Sequence, residues 1–205
     1  MRPLPRLLAL TDHQVTSTDD FPIKTAAIAS AGPTVGIVVR APGAAAHHQM
    51  ALLLRVRALV RPPEAAFFAS GDPALGAATL ANGLELPAGG PTAAEARRIY
   101  PAGRIGIVVR SLAEAEAAVG GGADFLIAGA VFPSSAGAGE EGLGLEWLRQ
   151  VAGLGIPVVA SGGVDVGRVG AVRAAGAWGV AANSALWSAA DPARAAGEFA
   201  RELAS

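Results

Sequence analysis

The chain contains no cysteine. That excludes disulfides, thiolate nucleophiles and zinc–thiolate sites. Lysine is almost absent as well: the sixteen basic residues are fifteen arginines and Lys24. A Schiff-base aldolase needs a lysine at a strand end inside its pocket. Lys24 falls in the first helical segment, which argues against that chemistry. Acidic and basic residues nearly cancel, for a net charge of −1, so nothing points to a nucleic-acid or acidic-membrane partner. No apolar run is long enough to span a bilayer, because Gly, Pro or Arg interrupts each candidate. The opening MRPLPRLLALTDHQ turns polar too soon for a signal peptide. A cytoplasmic location is the expectation that follows.

What the chain has is apolar and regular. Hydrophobic residues make up 52% of the 205 and charged ones 16%. That composition excludes disorder and gives enough residues for one domain, spanning 1–205, with a substantial core. Short apolar segments at Leu7–Thr11, Gly36–Arg40, Ala66–Ser70, Gly83–Leu86, Ile105–Arg110, Phe125–Gly129, Pro157–Ser161 and Gly179–Asn183 read as strands. They are continuously apolar, as in a parallel sheet covered on both faces. Helical segments follow at Phe21–Ala31, Ala44–Val60, Pro73–Leu80, Thr92–Ile99, Leu112–Val119, Leu143–Val151, Val166–Ala175 and Pro192–Leu203. Start signals support several: Pro73 and Pro192 in first turns, and Thr92 and Ser111 as caps with Glu95 and Glu114 three residues on. Eight βα units predict a (β/α)8 barrel, with a doubly wound sheet as the alternative. GIVVR occurs at Gly36–Arg40 and again at Gly106–Arg110; the copies lie three units apart, so they read as two similar buried strands rather than a duplicated half. The Gly- and Ser-rich stretch Phe132–Gly144 reads as a lid-like loop after the sixth strand.

In a barrel the functional groups project from the carboxyl ends of the strands. The sequence places there Thr11-Asp12-His13, Arg40, Ser70-Gly71-Asp72, Glu85, Arg110, Ser134-Ser135, Ser161-Gly162-Gly163 and Asn183-Ser184. Arginines, hydroxyls and glycines with few acids suit an anionic substrate. Two turns, Ser161-Gly162-Gly163 and Asn183-Ser184, follow consecutive strands and can offer bare amides to a phosphate. Either glycine alone also reads as a tight-turn residue. Arg40 reads as a phosphate or diphosphate ligand, or as the partner of Glu85 or Asp12; Arg110 is open in the same way. His13 reads as a general base or as a solvated loop residue. His47 and His48 are adjacent and share no helical face, so they are not a metal pair. Asp72 before Pro73 reads as a helix cap, and no metal site is expected.

The segments PVVASGG and GAWGVAANSAL resemble those of the thiamine phosphate synthase and TenI superfamily, whose barrels carry a PVVAIGGI segment followed by GVAVISAI. LLALTD, GIVVR, FFASGDPALGAATLANGLEL and RIGIVVRSLAEAEAAVGGGADFLIAGAVFPSS extend the resemblance over nearly the whole chain. The resemblance implies a homodimeric (β/α)8 barrel holding a small phosphorylated heterocycle, a thiazole phosphate, without an organic cofactor. Ser161, Gly162, Gly163, Asn183 and Ser184 would grip the phosphate. Arg40, Ser134 and Ser135 would bind the rest of the substrate, and His13 and Arg110 would stand at the reacting centre. The synthase branch has an Asn-Asp pair ending its third strand, the aspartate binding magnesium; here those positions are Ser70 and Gly71. Its histidine and second acid after the fourth strand are replaced by the stretch from Glu85 to Gly90. Its diphosphate loop ends in lysine, where this chain has Ser134, Ser135 and Gly137. The TenI branch uses a fifth-strand histidine, here Arg110. On these residues the expected activity is a metal-free thiazole tautomerisation. Thiamine phosphate synthesis and non-catalytic phosphate-ligand binding are the alternatives.

Overall fold

Strands such as LLAL and VGIVV are apolar at every position because both of their faces are buried. The computed structural model describes residues 3–60, 64–133 and 141–204. Its strands are β1 (Leu7–Leu10), β2 (Val35–Val39), β3 (Ala66–Ser70), β4 (Gly83–Leu86), β5 (Arg104–Val109), β6 (Phe125–Ala128), β7 (Val158–Ser161) and β8 (Gly179–Ala182). All pair in parallel with their sequence neighbours, and β8 closes on β1 with Leu7 opposite Val180, giving a closed eight-stranded barrel. The doubly wound alternative is thereby excluded, since an open sheet has two unpaired edges. Helices α1 (His13–Thr16), α2 (Phe21–Ala29), α3 (Ala46–Val60), α4 (Pro73–Ala78), α5 (Ala93–Ile99), α6 (Leu112–Gly120), α7 (Gly144–Ala152), α8 (Val169–Ala174), α9 (Ser184–Trp187) and α10 (Pro192–Ala204) complete the fold.

The pleat sends alternate residues to opposite faces. Leu8, Leu10, Val38, Phe68, Phe125, Ile127, Val159 and Ala181 form one cluster inside the barrel. Their neighbours Leu7, Ala9, Val35, Ile37, Phe67, Leu84 and Leu126 pack outward with the helices. Glycines make the interior fit. A Cβ at Gly36 would stand 2.9 Å from the Phe68 ring, and at Gly83 or Gly106 it would overlap the ring of Phe68 or Phe125. Those two rings meet edge to face at 6.1 Å, an arrangement that suits the aromatic quadrupole. The repeated GIVVR is explained here. In both copies the glycine makes room for a phenylalanine, the first valine (Val38 or Val108) faces the interior, and the arginine emerges at the top.

Element ends differ from expectation where local bonding decides them. Thr92 caps α5 from outside, its hydroxyl accepting from Glu95 N while Glu95 accepts from Thr92 N. The expected helix Val166–Ala175 begins as a 3-10 turn, Val166–Arg168, capped by Asp165, before α8 takes over. The short α1 and α9 are additional to the expected helices; four residues carry no readable helical period. On the outer wall the buried Tyr100 donates its hydroxyl to the Ala81 carbonyl, and burial pushes its phenol up to about 12, against a smaller opposing pull from Arg97. A raised folded pKa gives stability that is full below the unfolded value near 10 and is lost as pH climbs toward 12. Tyr100→Phe should therefore cost about 1 kcal/mol at pH 8. Its deficit should shrink by pH 11 in paired denaturation curves; an unchanged deficit would contradict the assignment.

Candidate active site

The inward parity that runs through Leu10, Val38, Phe68 and Val108 continues into the residues at the barrel mouth. It brings Asp12, Arg40, Ser70, Glu85, Arg110, Gly129, Ser161 and Asn183 to one ring above the core. These eight positions come from eight strand ends.

The turn after β7 is built on left-handed glycines: φ is +87° at Gly162 and +60° at Gly163. A Cβ on Gly162 would lie 2.5 Å from Ala130 Cα, and one on Gly163 would overlap the Pro133 carbonyl. The chain after β6 is laid against this turn, with Val131 N donating to Ser161 O at 2.8 Å and Phe132 N to Gly162 O at 3.2 Å. These bonds use the turn's carbonyls. The amides of Gly162, Gly163 and Val164 have no acceptor among the described residues. Arg168 fastens the turn from behind. It donates to the Gly163 carbonyl and lays its guanidinium 4.7 Å from the centre of the Phe132 ring. Arg168 was not foreseen; the 3-10 turn that aims it leaves no recognisable spacing in the sequence.

On the adjoining strand, the Asn183 carbonyl accepts from Leu186 N and Trp187 N, so the chain turns sharply into α9. The amides of Ser184 and Ala185 then head the helix without an acceptor among the described residues. Asn183 Nδ2 donates to Asp12 Oδ2 at 2.8 Å, while Asp12 Oδ1 accepts from Val15 N at 2.8 Å. Asp12 thus ties the end of β8 to the start of α1. Because β7 and β8 are neighbours, the two amide-bearing turns sit side by side, a geometry suited to the oxygens of one phosphate.

Across the mouth Arg40 grips Glu85 in a fork, Nη2 to Oε1 at 2.6 Å and Nε to Oε2 at 3.2 Å. Glu85 is 2% exposed, so its charge is matched by this guanidinium. Of the two partners expected for Arg40, the structure selects Glu85. Thr11, fully buried, accepts from Arg40 N at 2.8 Å and donates to Arg40 O at 3.2 Å. Arg110 is exposed, and its guanidinium has no acceptor among the described residues; only its backbone N–H is engaged, by Glu114 Oε2.

The expected general base is poorly placed. His13 is exposed at the first position of α1, one residue beyond the inward Asp12. His47 and His48 lie exposed at the start of α3 with ring centres 4.1 Å apart. Lys24 sits on α2 paired with Asp20 at 3.0 Å, away from the mouth. Ser134 and Ser135, and most of the expected lid, lie outside the described residues.

The magnesium that the synthase branch binds does not fit the acids among the described residues. Glu85 is spent on Arg40. Asp72 Oδ1 caps α4 by accepting from Ala74 N and Leu75 N. Asp12 is bonded at both oxygens. Gly71, where the synthase branch has its aspartate, has φ +82°, a backbone that side-chain-bearing residues avoid. No three His, Asp or Glu side chains gather as a metal set among the described residues.

Comparison with known proteins agrees with the fold. The family described as thiamine monophosphate synthase matches residues 7–186. The chain is 32% identical to a thiamine-phosphate synthase of Pyrococcus abyssi, over 95% of this chain and 92% of that protein. It is 35% identical to the thiamine biosynthesis bifunctional protein ThiED of Geobacter sulfurreducens, over 92% of this chain but only 39% of that longer protein. Among solved structures, the thiamine phosphate pyrophosphorylase of Pyrococcus furiosus superposes with a TM-score of 0.81 at 28% identity, covering 97% of this chain and 95% of that one. KGPDC from Streptococcus mutans, at 20% identity and TM-score 0.72, shares the barrel alone. With a family match across the barrel and relatives aligned over most of its length, the chain belongs to the thiamine monophosphate synthase family.

Proposed function

We propose that this protein joins a phosphorylated thiazole to hydroxymethylpyrimidine diphosphate, releasing diphosphate and forming thiamine phosphate. The observation that carries the reading is the pair of amide-bearing turns on β7 and β8, in a chain whose relatives are named thiamine-phosphate synthases. The amides of Gly162, Gly163, Ser184 and Ala185 hold the thiazole's phosphate, with the Ser161 and Ser184 hydroxyls beside them. That seats the ring over the apolar floor made by Leu10, Ile127 and Val159. The thiazole nitrogen donates its lone pair to the pyrimidine methylene, forming a C–N bond. The C–O bond to diphosphate breaks, and its electron pair departs with the diphosphate. The Arg40 guanidinium, held by Glu85, presents its remaining Nη1 to that leaving anion.

A second reading, a proton shift on a thiazole carboxylate phosphate, is favoured by one observation. Among the described strand-end acids, Asp12, Asp72 and Glu85 are each already bonded to protein, which suits a reaction that needs no metal. Incubation with both synthase substrates should yield thiamine phosphate. If none forms, while solvent deuterium enters the thiazole carboxylate phosphate, the second reading replaces the first. If thiazole phosphate fails to raise the melting temperature at millimolar concentration, both fail together with the phosphate site.

A further inference from the structure

Among the described residues at the strand ends, three acids are bonded to protein and one guanidinium is not. Asp12, Asp72 and Glu85 are each bonded to backbone amides, to Asn183 or to Arg40. A divalent cation that neutralises a polyphosphate takes carboxylate oxygens as ligands, usually one or two of them. Freeing any of these three would unseat a helix cap or leave a buried charge. Arg110 stands in the opposite condition. It follows Val108 by two residues on β5, so it shares that residue's inward parity, and it is exposed. Glu114, the nearest acid along the chain, turns its Oε2 onto the Arg110 backbone N–H at 2.7 Å. Ser111 is likewise occupied, its hydroxyl accepting from Glu114 N.

The surroundings of Arg110 give an anion somewhere to lie. On the next strand the inward position is Gly129, whose N–H donates to the Val109 carbonyl at 3.2 Å. A Cβ there would stand 3.3 Å from Ser161 Cβ. Among the described strand-end positions, the one between Arg110 and Ser161 is therefore a glycine, with no side chain of its own. The run from Arg110 to Ser161 covers two interstrand spacings, about 10 Å. That leaves room for one phosphorylated group on the turn and a second anion at Arg110.

We propose that Arg110 holds the diphosphate of the second substrate, and that this chain binds that diphosphate without a divalent cation. The inference rests on the synthase reading for the identity of the second substrate. The planar guanidinium offers five donors and a permanent charge, so it can meet two phosphate oxygens at once.

The test is a calorimetric titration of inorganic diphosphate, with and without saturating thiazole phosphate, in excess chelator and again in magnesium. The wild-type protein should bind diphosphate in chelator within about twofold of its affinity in magnesium. Arg110→Gln should weaken that binding about thirtyfold, the scale of losing charge-assisted hydrogen bonds, while Arg110→Lys keeps part of it. Because Arg110 is exposed, the melting temperature of both variants should match wild type. Thiazole phosphate affinity should also be unchanged, since the β7 and β8 turns are intact. Binding that appears only with magnesium, no binding at all, or equal binding by Arg110→Gln would each overturn the proposal. Failure of the synthase reading shows separately, as absence of thiazole phosphate binding to the wild-type protein.

Discussion

Gly163→Ala should lower the affinity for thiazole phosphate at least about a hundredfold, while the barrel still folds. The backbone at Gly163 has φ +60°, which costs an alanine about 1 kcal/mol. The larger effect is steric. The new Cβ would overlap the Pro133 carbonyl and stand 3.1 Å from the Phe132 carbonyl oxygen. Neither is the end of a flexible side chain, so the turn itself must shift. Its amides then leave the positions from which they would face the proposed phosphate. Losing two hydrogen bonds to a charged group, at about 1.5–3 kcal/mol each, exceeds a hundredfold in affinity. Gly167→Ala is the matched control: its φ is ordinary, and a Cβ there meets only Asp165 Oδ1, at 3.4 Å. Titration calorimetry of both variants decides the matter, with melting curves to establish folding. Unchanged affinity in a folded Gly163→Ala protein would remove the β7 turn from the site.

The turn just discussed was legible in the sequence, and the reason is physical. Ser161-Gly162-Gly163 follows a strand that is apolar at every position, so both the strand's end and the glycines' unusual backbone are marked in the letters. The same holds for the caps Asp72, Thr92 and Ser111, whose side chains act within three residues of themselves. The eight strands were visible for the same kind of reason. Burial of both faces removes polar residues from each strand, and arginine, serine or asparagine returns at the end facing solvent.

What was not legible depends on closure of the barrel. Asp12 and Asn183 are 171 positions apart, and only the pairing of β8 with β1 makes them neighbours. Asp12 therefore presented itself as a possible partner for Arg40, although its carboxylate belongs to Val15 and Asn183. The interior glycines were hidden for a related cause. Gly36, Gly83 and Gly106 answer to the volumes of Phe68 and Phe125, on strands that the linear order does not mark as facing them. Arg168 was missed because a long side chain reaches back five residues to Gly163, a span fixed by a 3-10 turn and not by any repeat. The chemistry of the mouth is divided in the same way. Each amide-bearing turn is local and could be read, whereas the balance of spent and free charges is a property of the closed ring.

Arg40→Met should destabilise the protein by about 2–3 kcal/mol, more than most single surface changes. The cost comes from what is left behind. Glu85 is 2% exposed, and without the fork from Nε and Nη2 its carboxylate stays in an apolar wall with no compensating charge. A value below the usual range for a fully buried pair is expected, because the Arg40 side chain is itself 29% exposed and water can reach the gap. At about 2–4 °C per kcal/mol for a chain of this size, the melting temperature should fall by about 5–10 °C. The double variant Arg40→Met with Glu85→Leu should recover most of this loss, since neither charge then remains to be satisfied. A coupling energy near 2 kcal/mol in that cycle would assign the pair a structural role beneath whatever Arg40 does for the ligand. Activity separates the two roles. The double variant should melt near wild type yet fail to turn over, because the pair proposed to present Nη1 to the diphosphate is gone. A stable Arg40→Met single variant would instead mean that Glu85 is hydrated at the mouth and that its fork on Arg40 is dispensable. Arg40 would then be free to swing wholly onto the ligand, and the charge balance from which Arg110 emerges as the unspent base would have to be redrawn.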